Sequence, residues 1–194
     1  MLPGDVSNGY LRAQEPYLSL LSTPQFASIF VYRDPRDMIV SHVFYATDIH
    51  TGHGMHQYYQ NLGSTPERIS AAISGVEEPG FELPNVNERY ASYIDWLKQP
   101  NILSLRFEDL RLQTEQTLNK LLDFLALRGF TPNLPRDKCI QSLRESISPH
   151  RSGTFRKGQP GNWREHFSGD NKELFKELAG DLLISLGYEQ GHDW

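Results

Sequence analysis

A chain of 194 residues with 38% apolar and 22% charged residues is long enough for one well-buried domain, read here as a single unit over 1–194, and nothing in it requires two. The formal net charge of −5 excludes a general nucleic-acid binder, which needs a basic face over much of the domain, and Cys139 as the only cysteine excludes a disulfide framework or a multi-cysteine zinc site. No apolar run approaches the ~18 residues of a membrane span and Met1-Leu2-Pro3-Gly4 does not start a signal peptide, so the cytoplasm, whose reducing conditions suit a lone thiol, is the expected location.

In chain order, the first clear element is the β-rich run Ala27-Ser28-Ile29-Phe30-Val31-Tyr32. Arg33-Asp34-Pro35-Arg36-Asp37 follows at once and reads as a helix start, with Asp34 as N-cap, Pro35 in the first turn and Asp37 at N3 near the positive end of the dipole. Thr65-Pro66-Glu67 opens a helix carrying Ile69, Ala72 and Ile73. Asn87 opens another with Tyr90, Tyr93, Ile94 and Leu97 on one face, a spacing that marks them as core. Asn101 to Arg106 repeats the strand pattern, and Thr114 is the expected cap of a helix whose Leu118, Leu121, Leu122 and Leu125 recur at helical spacing. Leu174, Leu178, Leu182 and Leu186 form a last stripe that stops at Gly187. Short strands alternating with amphipathic helices predict an α/β fold, a three-layer parallel sheet with flanking helices. Two clear strands are few for such a sheet, so the domain is expected to be incomplete.

Two segments carry chemistry. Arg156-Lys157-Gly158-Gln159-Pro160-Gly161-Asn162-Trp163-Arg164 joins adjacent cations to glycines that permit φ > 0, a composition that grips phosphate but also describes a plain surface turn. Arg33 sits at the end of a strand, where α/β sheets bind ligands, and Ser41 follows eight residues later, two helical turns on; both can reach one anion. The alternative is that Arg33 pairs with Asp34 or Asp37 and Ser41 is a neutral helix residue.

Tyr32 to Asp37 with Ser41, then Arg106-Phe107-Glu108-Asp109-Leu110, then Arg156-Lys157-Gly158 with Gly161, Asn162, Trp163 and Phe167, resemble, in order, successive motifs of the cytosolic-type sulfotransferases. The resemblance covers roughly Leu2 to Tyr188. It implies the P-loop-NTPase-like sulfotransferase fold, 3′-phosphoadenosine 5′-phosphosulfate (PAPS) as co-substrate and adenosine 3′,5′-bisphosphate (PAP) as product. It also implies a small-molecule acceptor with a hydroxyl or amine, and Arg33, Ser41, Arg156, Lys157 and Gly158 around the 3′-phosphate.

Two parts of the family pattern have no counterpart here. One is the Pro-Lys-Ser-Gly-like loop that holds the phosphosulfate. The other is the His-Leu-Pro-like segment that carries the base, whose place Met1-Leu2-Pro3 takes, and a thioether cannot accept the proton. The chain therefore reads as beginning inside a longer sulfotransferase, with the catalytic residue unassigned. The rival reading is a non-catalytic remnant or pseudoenzyme that binds PAP or a protein partner; a P-loop kinase relative is disfavoured because no Walker-type lysine is present. Ser142-Leu143-Arg144-Glu145 resembles an adenine-contacting segment with Leu143 in place of a phenylalanine, and Phe107 stands where the family often has tyrosine.

His50, His53 and His56 are spaced by three, but Gly52 and Gly54 weaken a helix there, so a mobile acceptor-side loop is expected and no metal. His42 follows Ser41 but is disfavoured as a substitute base, because helix geometry turns it roughly 100° away. Glu108 and Asp109 are read as structural or capping, and Arg164 and His166 as flanking the loop. Acceptor contacts are expected from Asp48 to Gly63 and Glu77 to Asn87; the acceptor itself and the oligomeric state are not encoded legibly.

Overall fold

A computed structural model describes residues 5–148, 153 and 155–194; Met1-Leu2-Pro3 lies outside the described residues. A short helix α1 (Tyr17–Leu21) precedes strand β1 (Ile29–Tyr32) and helix α2 (Pro35–Phe44), which runs into a π-helical turn at Tyr45–Ile49. Then come α3 (His56–Asn61), α4 (Thr65–Ser74), the hairpin β2 (Val76–Glu78) and β3 (Phe81–Leu83), and α5 (Val86–Ile94) with a 3₁₀ turn at Asp95–Lys98. Strand β4 (Leu103–Arg106) leads into α6 (Phe107–Leu112), α7 (Thr114–Leu127) and α8 (Arg136–Ser146). A 3₁₀ turn at Asn162–Glu165 and the long α9 (Gly169–Ser185) complete the chain.

The two strands marked by the sequence pair in parallel, Ile29 with Leu103 through Tyr32 with Arg106. That register brings both strands to an end at the same level, so Arg33 and Phe107, the next residue of each, emerge side by side. The architecture is α/β with a parallel sheet, and among the described residues that sheet has two strands. The β2–β3 hairpin gives regular structure to part of a stretch expected as loop.

Local signals explain most helix starts. Asp34 caps α2 by accepting from the Arg36 amide at 2.9 Å, with Pro35 behind it, as expected. Ser64 caps α4, whose Ile69, Ala72 and Ile73 are fully buried. Two caps differ from the sequence reading. α5 is opened by Asn85, not Asn87, through a capping box with Glu88 that satisfies two terminal N–H groups reciprocally. Leu97 accordingly falls in the 3₁₀ turn beyond α5, though it packs on the same core as Tyr90 and Ile94. Thr114 does not cap α7: only Gln113 separates α6 from α7, and the Thr114 hydroxyl donates back to Leu110 O at 2.8 Å, tying off the preceding helix.

The main core joins α2, α3, α4, α5 and α9, with Val40, Tyr59, Ile69, Ile73, Phe175 and Leu183 at its centre. Leu182 and, just past α9, Leu186 are buried, while Leu174 and Leu178 are only partly so and Phe175 and Leu183 lie deepest. A strict four-residue spacing drifts around a 3.6-residue helix, and a break at Ala179 (φ −151°, ψ 27°) turns the two halves further. The helix ends in paired bonds from Gly187 N to Ile184 O (2.9 Å) and from Tyr188 N to Leu183 O (2.8 Å), so Gly187 closes it as expected. A second, smaller cluster of Leu118, Leu122, Cys139 and Ile140 holds α7 to α8. Among the described residues no helix is long and apolar enough to cross a membrane.

Candidate functional site

The site lies at the C-terminal ends of β1 and β4. The Arg33 guanidinium stands 4.6 Å from the centre of the Phe107 ring. Its backbone is held from two sides: Tyr90 Oη donates to Arg33 O at 3.2 Å, and Glu108 Oε1 accepts from the next amide, Asp34 N, at 3.1 Å. Glu108 Oε2 accepts from Tyr188 Oη at 2.7 Å. Burial and this carboxylate push the Tyr188 phenol well above its ordinary range, which keeps it a donor. Glu108 is thus a structural tie between α6, the start of α2 and the chain beyond α9, in agreement with its sequence reading.

Asp37, Ser41 and Phe44 follow at helical spacing on one face of α2, and the loop that follows α8 packs there. Asp37 accepts from Gly161 N at 2.7 Å and Trp163 N at 2.8 Å, and pairs with Arg33 Nη2 at 3.4 Å. One turn beyond Ser41, the Phe44 ring carries Arg156 at 4.5 Å and His166 at 4.9 Å. Ser41, half-buried, lies between these two contact positions. Gln159 O accepts from Arg33 Nη2 at 3.1 Å, and Arg156 donates to Asn162 Oδ1.

Arg33 and Arg156 are therefore brought close to one another, and Ser41 lies on the face of α2 between their contact positions. Lys157 points to its edge, paired with Glu165 at 2.9 Å, and that contact holds the exposed carboxyl below its usual range. Gly158 (φ +59°) and Gly161 (φ +78°) both take the left-handed backbone expected of them.

The electrostatics of the patch favour an anion. Burial and then the Arg33 charge hold the Arg156 guanidinium below its ordinary value. Arg33 Nε is buried and has no hydrogen-bond partner among the described residues. Arg33 and Arg156 thus bring two positive charges near one buried carboxylate, Asp37.

The sulfotransferase domain model matches residues 17–187. The chain belongs to the sulfotransferase domain family. Relatives include mouse (Mus musculus) sulfotransferase 2A6, 24% identical over 81% of this chain and 56% of its own length. The guinea-pig (Cavia porcellus) 3-alpha-hydroxysteroid sulfotransferase is 23% identical over 80% of this chain and 55% of its own. The chain thus spans about half the length of the curated relatives it matches. Among solved structures, mouse sulfotransferase SULT7A1 complexed with PAP superposes with a TM-score of 0.62 at 15% identity, over 87% of this chain and 64% of that one. Retinol dehydratase in complex with androsterone and the inactive cofactor PAP gives 0.58 at 22% identity, over 87% and 49%. These likenesses establish the sulfotransferase fold.

Within this chain, other expectations fall differently. Leu143 packs with Leu118, Leu122, Cys139 and Ile140 in the α7–α8 cluster. His42 turns toward α3, with its ring 5.8 Å from Tyr59 and 5.2 Å from His53. Burial, aided by Arg89 and His53, lowers it to about 4, so it is neutral at pH 7, and its buried Nε2 has no partner among the described residues. Its neighbours differ from those of the Arg33–Arg156 patch. His56 Nδ1 bonds Ala46 O at 2.8 Å, and His50 and His53 contact one another 6.2 Å apart. Among the described residues no three of these side chains, with any Cys, Asp or Glu, are placed to hold a metal ion. Helix α3 and the π-helical turn occupy much of the expected mobile loop from 48 to 63.

Two functional-looking residues escaped the sequence. Arg36 is 1% exposed, forks onto Asp34 (Nε to Oδ1 3.0 Å, Nη2 to Oδ2 2.8 Å) and meets Glu189 at 2.6 Å. Its guanidinium lies between Trp163 at 4.0 Å and Trp194 at 4.5 Å, which anchors the loop from below. Arg164 covers the other side of Trp163 at 4.6 Å. Asp37, read as a dipole residue, is the acceptor around which the loop is built. The Arg33–Asp37 pair is the alternative that the sequence left open; nothing local signals the rest, because Gly161, Trp163, Glu189 and Trp194 lie more than a hundred residues away.

Proposed function

We propose that this chain binds PAPS and its product PAP through the Arg33–Arg156 patch, as part of an enzyme that moves a sulfo group from PAPS to an acceptor hydroxyl or amine. The observation that carries the reading is that Arg33 and the 156–163 loop meet at Asp37, with Gln159 O on Arg33 Nη2 and Gly161 N on the Asp37 carboxylate, which brings the Arg33 and Arg156 charges close. A 3′-phosphate fits this donor set: Arg33 and Arg156 supply charged N–H groups, Ser41 a hydroxyl, and Gly158 a left-handed turn that lets backbone approach. Lys157 joins by exchanging Glu165 for phosphate. Each charge-assisted bond contributes about 1.5–3 kcal/mol net, so several on one dianion select this nucleotide over one lacking the phosphate.

When bound, PAPS supplies an activated sulfo group for in-line displacement. The residues described here position the nucleotide and neutralise its charge. Relatives whose names include a hydroxysteroid and a bound androsterone make steroid alcohols the first acceptors to try. The free, buried thiol of Cys139 suits the cytoplasm, where we place the protein.

PAP is expected to raise the melting temperature of the 194-residue chain in a thermal-shift titration, with Arg33→Ala or Arg156→Ala abolishing the rise; no shift at millimolar PAP contradicts the proposal. A labelled-PAPS assay with steroid alcohols separates an active enzyme from a non-catalytic PAP binder.

A further inference from the structure

We propose that Asp37 is the positioning residue of this site: its buried carboxylate assembles Arg33 and the 156–163 loop into one grip, and so sets selectivity for a 3′-phosphate that it does not itself touch. This rests on the reading of the site given above. Asp37 is 1% exposed in the first turn of α2. Oδ2 accepts from Gly161 N at 2.7 Å and faces Arg33 Nη2 at 3.4 Å, while Oδ1 accepts from Trp163 N at 2.8 Å. Gly161 N and Trp163 N open the 3₁₀ turn Asn162–Glu165, for which Gly161 is the N-cap residue and offers no side chain. Asp37 therefore caps a turn that lies far along the chain, doing for it what a local Ser or Asp does elsewhere.

The consequences for Arg33 and Arg156 follow from this anchoring. With Gly161 fixed, Gln159 O is placed to accept from Arg33 Nη2, the same nitrogen that faces Asp37, so the loop and the carboxylate together set the position of the guanidinium. Asn162, the next residue, accepts from Arg156 and sets that guanidinium over Phe44. Both cations thus take their position from one acid. A carboxylate is needed because it accepts at both oxygens; an amide of the same shape presents its NH₂ to one of the two N–H groups and forces them apart.

The test compares dissociation constants of PAP and adenosine 5′-monophosphate, which lacks the 3′-phosphate, for the 194-residue chain and Asp37→Asn. The unaltered chain is expected to favour PAP by at least about tenfold, and Asp37→Asn to bring the ratio to within about threefold by weakening PAP alone. A merely structural role lowers both affinities together and keeps the ratio, which would overturn the inference while leaving the PAP site standing. An unaltered chain that does not prefer PAP overturns the site itself.

Should Asp37→Asn not fold, amide resonances of the unaltered chain decide. Gly161 and Trp163 N–H signals that move with PAP and not with adenosine 5′-monophosphate support the role, and signals that move equally with both overturn it.

Discussion

His42 shows how one substitution site converts burial into pH dependence. Buried against Tyr59 and His53 and beside Arg89, it is lowered to about 4 from an ordinary value of 6.5. The unfolded chain therefore takes up a proton near pH 6.5 that the folded chain accepts only near pH 4. Stability is complete above the higher value and falls as pH drops between the two, by on the order of 3 kcal/mol. His53 and His166 are lowered in the same direction, so the informative quantity is a difference. Urea denaturation of the unaltered chain should show a steeper loss from pH 7 to pH 4.5 than His42→Gln; identical slopes contradict the assignment. The same burial explains the limits of the sequence reading at this scale. Arg33, Ser41 and Arg156 could be singled out as candidates because a strand end, a helix face and a glycine-flanked cation pair each leave a local mark. Asp37 and Arg36 could not, since their roles are defined by Gly161, Trp163, Glu189 and Trp194, and no local pattern encodes which distant backbone amide a carboxylate will meet.

At the level of elements, the caps decide what was readable. Asp34-Pro35 and the Thr65-Pro66 start are strong because proline fixes φ at the first helical turn, and both helices begin there. Asn85 and Asn87 are both plausible caps by residue type, and the choice between them rests on Glu88 standing three residues after Asn85. Helix α9 has the same device: Ser168 accepts from Asn171 N at 3.1 Å while Asn171 Oδ1 accepts from Ser168 N at 3.0 Å. Asn171 Nδ2 goes on to Ser70 Oγ at 2.8 Å and Pro66 O at 3.0 Å, so this cap also stitches α9 to α4. Ser168→Ala is expected to cost about 1 kcal/mol and lower the melting temperature by about 2–4 °C, while Asn171→Ala, which also leaves the α4 contact unmade, should cost more. Equal effects in calorimetry would show that the α4 contact contributes nothing beyond the cap. The π-helical turn after α2 and the β2–β3 hairpin carry no such signal, their three-residue strands being too short for alternation to stand out.

Across the whole molecule, fold and site are joined by one arrangement. Parallel pairing of β1 with β4 sets Arg33 beside Phe107; α2 then presents Asp37, Ser41 and Phe44 to the loop that leads into α9; and α9 packs back on α2's neighbours α4 and α5. The order strand, helix, strand, helix was evident from hydrophobic periodicity, and with it the fold class. The distribution of the core between a large cluster and the small α7–α8 cluster was not, because Leu118 and Leu122 read as core in either. The central claim is that this arrangement holds the 3′-phosphate of PAP. Phosphorus-31 resonances of PAP distinguish its two phosphates, so a titration of the 194-residue chain tests it directly. The 3′-phosphorus signal should shift on binding and the shift should vanish in both Arg33→Ala and Arg156→Ala. Perturbation of the 5′-phosphorus signal alone, or of neither, would contradict the account.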